Sequence, residues 1–187
     1  MKGSFWTSQA AYRHMKEHGG GRFVFVSSSA GIFGSAERGA YGSAKAGVFG
    51  LSNVIALEGA RYGIRANAVM PVAITRMADT RRTPIPELTE ALATLRPRLL
   101  PEFVAALVVY LASGACSATG DLYSAAASRY ARAVVGVPCG WAPASPEVPS
   151  VEEVAEHWGE IEAYDGPIEQ PDSTLSELLL VARQLRR

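Results

Sequence analysis

Three polar side chains near the start of the chain have the types and spacing to transfer a proton. Ser28 follows the apolar run Phe23–Val26, and Tyr41 and Lys45 stand four residues apart in a helical segment. Residues four apart on a helix share a face, with Cβ atoms about 5–6 Å from each other. The sequence therefore predicts that a phenol and an ammonium group lie side by side, close to a hydroxyl.

These side chains suggest general acid–base chemistry. A phenol has an ordinary pKa of about 10, too high for ready proton exchange near neutral pH, and a neighbouring cation favours the phenolate. Tyr41 is then a candidate general acid or base, Ser28 a donor to the oxygen that changes charge, and Lys45 a cation that is also free to hold a ribose hydroxyl. A tyrosine and a lysine at this spacing are a weak signal alone, so the interpretation depends on the elements around them.

The surrounding elements favour a ligand site. Phe23–Val26 is a short continuous apolar run, typical of a strand buried on both faces of a parallel sheet. A loop of small residues with Gly31, Gly34 and Gly39 leads from this strand to the helical segment. Open α/β sheets bind ligands at the carboxyl ends of their strands, which is where this loop begins.

Together, Ser28, Tyr41 thirteen positions later and Lys45 resemble the short-chain dehydrogenase/reductase family. In that family a serine, a tyrosine and a lysine form the active site, and the cofactor is NAD or NADP. Ser28 is preferred to Ser27 and Ser29 because the family's spacing to the tyrosine falls there. The resemblance implies an oxidoreductase that acts on a secondary alcohol or ketone.

A second segment resembles one branch of this family. The strand predicted over Ile64–Met70 is broken by Pro71, and Pro71–Met77 is similar to the (3R)-hydroxyacyl-CoA dehydrogenase domain of multifunctional β-oxidation enzymes. The resemblance implies an acyl-CoA substrate and contacts to the cofactor from Tyr41, Lys45, Ala73, Ile74 and Thr75. The chain departs from the family's usual Pro-Gly and threonine spacing here, and Thr75 alternatively caps the next helix.

The dinucleotide fingerprint of such folds is a glycine-rich turn from a strand into a helix, with an acidic residue about 20 positions on. The sequence contains no such unit, and Gly19–Gly21 comes before a strand instead. Aligned on the family's pattern, Met1 falls where a complete member would be nearly half finished. We therefore expect an N-terminally truncated α/β fold, the later half of a Rossmann-like doubly wound parallel sheet with its first strands missing.

Two regions are expected. Residues 1–135 form the partial short-chain dehydrogenase/reductase domain, and 136–187 form a C-terminal extension that is irregular and proline-rich before two short helices. Capping boxes are predicted at Ser150–Glu153 and at Thr174–Glu177. The resemblance also implies that 78–98, with a short helix over its later part, 87–94, covers the substrate.

Composition narrows the class of partner. The 187 residues are 48% hydrophobic and carry 18 basic and 18 acidic side chains, so the net charge is zero. No basic stripe or charge asymmetry indicates binding to nucleic acid or to an anionic membrane. The longest apolar run, Phe103–Ala112, is too short to span a bilayer. Cys116 and Cys139 match no metal spacing and are expected as free thiols in a reducing compartment.

We expect a cytoplasmic protein with a small-molecule substrate, and a homo-oligomer because the strand before Ser28 would otherwise expose an unpaired edge. The alternative interpretation is a catalytically inactive fragment or a protein-binding module. Sequence upstream of Met1 distinguishes the two, since an in-frame glycine-rich strand–turn–helix there would favour the enzyme.

Overall fold

Helices and strands alternate over the first part of the chain. The computed structural model describes residues 1–75, 93, 95–164 and 166–185. It divides into two compact units, Met1–Ala133 and Val134–Arg187. The elements of the first unit are α1 (Lys2–Glu17), β1 (Gly21–Val26), α2 (Ser29–Ile32), α3 (Gly39–Gly59), β2 (Ile64–Val72), α4 (Pro101–Ala112), β3 (Leu122–Ala126) and β4 (Arg129–Ala133). The predicted substrate cover at 78–98 and its helix over 87–94 lie largely outside the described residues.

The described strands form one sheet in the order β1-β2-β3-β4. β1, β2 and β3 are parallel, and β4 runs antiparallel to β3. Val26 at the end of β1 is level with Val69, so β2 continues three residues beyond its neighbour. The predicted α/β class and mostly parallel sheet are confirmed.

Helices cover both faces of the sheet. Side chains along a strand alternate between faces, and Ala68 and Met70 of β2 pack in one cluster with Ile55 of α3. Val69, which lies between them, packs on the opposite face with Leu111 of α4. β2 is therefore buried on both faces, which explains its nearly continuous apolar sequence and matches the doubly wound arrangement.

Local signals fix the helix ends. Gly63 has the left-handed φ of 70° and ends the turn Ala60–Tyr62 that follows α3. Pro101 occupies the first turn of α4, where its missing N–H costs no hydrogen bond. The buried Asn67 of β2 bonds to the segment between α4 and β3: its Nδ2 donates to the Ala118 carbonyl, and its Oδ1 accepts from the Asp121 N–H. In the described part of the chain no helix has the length and apolarity to cross a membrane.

The second unit contains α5 (Val151–Glu156), α6 (Trp158–Glu162) and α7 (Thr174–Gln184). The capping box predicted at Ser150–Glu153 is confirmed: Glu153 N–H donates to Ser150 Oγ over 3.1 Å, and Ser150 N–H donates to Glu153 Oε2 over 2.8 Å. The box predicted at Thr174 was wrong by one residue. Ser173 is extended and caps α7 with Ser176, because Thr174 is already the first helical residue.

Candidate active site

Lys45 is bonded to the carboxyl end of β1 through both its side chain and its backbone. Its Nζ donates to the carbonyl of Val26, the last residue of β1, over 2.7 Å. Its own carbonyl accepts from Ser27 Oγ over 2.8 Å. Ser27 is buried, so its hydroxyl serves this internal bond and faces no ligand. The strand end thereby sets the position of the Lys45 ammonium.

Tyr41 lies one turn before Lys45 on α3. The Lys45 Nζ is 5.8 Å from the centroid of its ring, within the range of a cation–π contact. The Tyr41 side chain is 43% exposed, so a small molecule can reach it. The structure thus brings the predicted phenol and ammonium together at the end of β1.

Ser28 follows Ser27 and caps α2. Its Oγ accepts from the Ala30 N–H over 3.2 Å, and this bond leaves the hydroxyl's own hydrogen for another acceptor. α2 packs closely against α3 at Gly31, where a Cβ would lie 2.6 Å from the Ala46 nitrogen and 2.9 Å from Lys45 Cβ. Only glycine permits this close approach. Gly31 therefore allows α2, which Ser28 caps, to pack against the turn of α3 that carries Lys45.

Ala73, Ile74 and Thr75 follow β2 at the same edge of the sheet. The Ile74 N–H donates to the carbonyl of the buried Leu99 over 2.7 Å, so this N–H is already used within the fold. Ala73 is half-buried and Thr75 is exposed. The alternative that Thr75 caps a following helix concerns residues outside the described part.

These residues fit the nicotinamide half of a dinucleotide. An ammonium has three hydrogens, and the bond to Val26 uses one of those on Lys45, which leaves donors for ribose hydroxyls. Lys45 of α3 is bonded to the end of β1, and 73–75 follow the end of the neighbouring strand β2. Neighbouring parallel strand ends are where open α/β sheets bind nucleotides.

One charged residue beside Tyr41 was not predicted from the sequence. The Arg38 guanidinium carbon is 5.6 Å from the centroid of the Tyr41 ring, slightly nearer than the Lys45 Nζ at 5.8 Å. The signal was present, because residues three apart on a helix also share a face. Arg38 precedes Gly39, the first residue of α3, and so stood in what the sequence suggested was only a loop of small residues.

Comparison with known proteins agrees with this architecture. Residues 1–85 match the model of the short chain dehydrogenase family. The chain is 38% identical over 166 residues to a short-chain type dehydrogenase/reductase of Mycobacterium tuberculosis, a match that covers 89% of this chain and 54% of that protein. It is also 38% identical over 128 residues to the peroxisomal multifunctional enzyme type 2 of Mus musculus, covering 68% of this chain and 16% of that one.

A solved structure extends the likeness to the whole chain. The full-length peroxisomal multifunctional enzyme type 2 of Drosophila melanogaster matches with a TM-score of 0.82 at 26% identity, over 100% of this chain and 32% of that chain. The fold and the strand-end site define a Rossmann-like α/β protein. The resemblance of residues 1–85 to the short-chain dehydrogenase family, which the sequence predicted, is confirmed. It spans about half the length of the mycobacterial relative, 54%, and smaller shares of the multifunctional enzymes.

Proposed function

We propose that this chain supplies the acid–base site of an NAD(P)-dependent oxidoreductase that interconverts a secondary alcohol and a ketone. The observation that carries the proposal is the placement of Tyr41 beside Lys45, with the lysine bonded to the end of β1 at 2.7 Å. The resemblance to the short-chain dehydrogenase family supports the same reaction class.

Each side chain has a defined task in the oxidation of an alcohol. Tyr41 is the general base that takes the proton of the substrate hydroxyl, with the Lys45 ammonium 5.8 Å from its ring centroid. Ser28 donates its hydroxyl hydrogen to the substrate oxygen and so holds it next to Tyr41. A nicotinamide cofactor held by Tyr41, Lys45 and 73–75 would supply the hydride acceptor for the carbinol carbon. In the reverse direction Tyr41 returns the proton to the carbonyl oxygen.

The proposed substrate class is a 3-hydroxyacyl-CoA. The likeness of Pro71–Met77 to dehydrogenase domains that act on such thioesters supports it. Phe33, at the end of α2 and 73% exposed, offers apolar surface for an acyl chain.

The expected cytoplasmic location is supported by the free thiols of Cys116 and Cys139.

The experiment measures cofactor reduction by the whole chain with 3-hydroxybutyryl-CoA, NAD⁺ and NADP⁺, at high protein and millimolar cofactor so that slow turnover is visible. Tyr41→Phe should lower the rate by roughly 10²–10⁴-fold, the usual contribution of a general acid or base. Tyr130→Phe is the matched control, because Tyr130 is similarly exposed at 45% but donates to the Phe103 carbonyl on another element. Undiminished turnover in Tyr41→Phe, or none in the unmodified chain, would refute the proposal.

A further inference from the structure

Two cations flank the Tyr41 ring along α3. Lys45 is one turn after Tyr41 and Arg38 is three residues before it, with distances of 5.8 and 5.6 Å to the ring centroid. Lys45 is bonded to β1 and adjoins the strand ends that fit the nicotinamide half. If the cofactor lies on the Lys45 side of Tyr41, a substrate whose hydroxyl contacts Tyr41 has Arg38 on the side away from the cofactor.

The Arg38 side chain has its hydrogen-bonding capacity available within the described part of the chain. No carboxylate oxygen among the described residues lies within 4.0 Å of its guanidinium, and the guanidinium donates no hydrogen bond to any of those residues. Its backbone is fixed, since its N–H donates to the Ser35 carbonyl over 3.3 Å and its carbonyl accepts from the Gly42 N–H over 2.7 Å. A guanidinium on a fixed backbone is suited to bind an oxygen acceptor on a ligand.

We propose that Arg38 is a specificity-determining residue that binds the acyl oxygen of a 3-hydroxyacyl substrate, two carbons away from the reacting carbinol carbon. This inference rests on the proposed function, because it assumes that the substrate hydroxyl meets Tyr41. In a 3-hydroxyacyl group three carbons separate the hydroxyl oxygen from the acyl oxygen, so the two oxygens can reach two adjacent polar groups at once, here the Tyr41 phenol and the Arg38 guanidinium. The exposed Phe33, on the segment that leads to Arg38, then faces the apolar part of the acyl group.

The acyl oxygen has two possible sources. A free carboxylate presents two charged oxygens that match the planar guanidinium, whereas a thioester presents one neutral carbonyl oxygen. Both ligands share the oxygen that Arg38 binds. A secondary alcohol without an acyl group lacks it.

The test measures binding of three ligands to the whole chain without cofactor, by ligand-observed saturation-transfer NMR: 3-hydroxybutyrate, 3-hydroxybutyryl-CoA and 2-butanol. Arg38→Gln should weaken binding of the free acid by about tenfold or more, as expected when a charge-assisted hydrogen bond is lost. The thioester should lose less and 2-butanol nothing, while Arg38→Lys should retain part of the affinity for the acid.

Arg61→Gln is the matched control, since the Arg61 guanidinium lies 4.8 Å from the Tyr62 ring centroid at the far end of α3. Equal losses in Arg38→Gln and Arg61→Gln, or no binding of either acyl ligand by the unmodified chain, would overturn the role of Arg38. A larger loss for the thioester than for the acid would still support binding of the acyl oxygen by Arg38, and it would identify the thioester as the source of that oxygen. Because no cofactor is present, this result is independent of the turnover assay, and either proposal can fail alone.

Discussion

The Lys45 side chain is held by a carbonyl oxygen before any ligand binds. Its bond to Val26 and the bond from Ser27 to its carbonyl restrict both the rotamer and the backbone of a residue type that is usually flexible. A group already held in its working position costs less to order when the substrate arrives. The sequence predicted the pairing of Lys45 with Tyr41 from their spacing. It could not predict the partners on β1, because those depend on how closely α3 approaches the strand.

A second tyrosine, far from this site in the sequence, gives a prediction about pH. Tyr123 donates its hydroxyl to Asp121 Oδ2 over 3.0 Å, and Asp121 also lies 3.6 Å from Arg132 Nη1. Burial, and then the hydrogen bond and charge of Asp121, raise the pKa of Tyr123 to about 12. In the unfolded chain a phenol has a pKa of about 10.

The sign of the effect follows from this difference. Because the folded state holds the proton more tightly, the stabilisation is fully present below pH about 10 and is lost as pH rises towards about 12. Tyr123→Phe should be less stable than the unmodified chain by about 1 kcal/mol at neutral pH, through the lost hydrogen bond, but should lose less stability in the alkaline range. Urea unfolding at a series of pH values measures both, and a parallel alkaline decline in the two proteins would contradict the prediction. Tyr130→Phe should retain the decline, since Tyr123 and Asp121 are unchanged.

Strand β2 was predicted from the sequence, but its predicted end was two residues too early. The predicted strand ended at Met70 because Pro71 lacks an N–H, yet β2 continues to Val72. The carbonyl of Val69 accepts from the Ser27 N–H, so Val69 and, two residues on, Pro71 both direct their polar groups towards β1. β1 has ended by that level, and the missing N–H of Pro71 therefore breaks no ladder bond.

The hairpin between β3 and β4 was not predicted. Its turn residues, Ala127 and Ser128, have φ values of 52° and 63°. Two-residue hairpin turns with positive φ usually contain asparagine or glycine, and this pair gives no such signal. The sheet's antiparallel edge strand thus depends on a backbone conformation that the local sequence does not favour, and pairing with β3 must stabilise it.

The two edges of the sheet differ in their protection, which predicts self-association. β4 carries the charged Arg129 and Arg132, and charged side chains on an edge strand oppose pairing with another chain. β1 is largely apolar and, among the described residues, pairs with β2 alone. We expect a homo-oligomer whose mass by light scattering rises with concentration. Val26→Lys, at a position 49% exposed, should shift it towards monomer.

Val148→Lys is the control for added charge, because Val148 is 94% exposed in the second unit. It should leave the oligomer unchanged. A monodisperse monomer at high concentration of the unmodified chain would show that the edge of β1 needs no partner.

Across the whole chain, the proposed cofactor contacts are unevenly distributed. The residues proposed to hold the nicotinamide half, Tyr41, Lys45 and the segment 73–75, all lie at the strand ends. Gly19 and Gly20 lie between α1 and β1, with φ values of 85° and 108°, and Gly21 is the first residue of β1, so these glycines lead from a helix into a strand, as the sequence predicted. They do not form the strand-to-helix turn whose N–H groups bind a pyrophosphate.

The 187-residue chain should therefore bind NAD(H) and NADP(H) weakly and turn over slowly. Positioning of reactants is worth roughly 7–11 kcal/mol of a barrier, and binding loses a factor of ten for about every 1.4 kcal/mol of missing contact. Calorimetric titration of the purified chain should give dissociation constants in the millimolar range or weaker. Lys45→Met should remove most of the remaining heat, whereas Lys16→Met, which changes a lysine on α1 that contacts the Tyr62 ring, should not. Micromolar affinity for either dinucleotide would contradict this account, because it would require a pyrophosphate site that the sequence does not show.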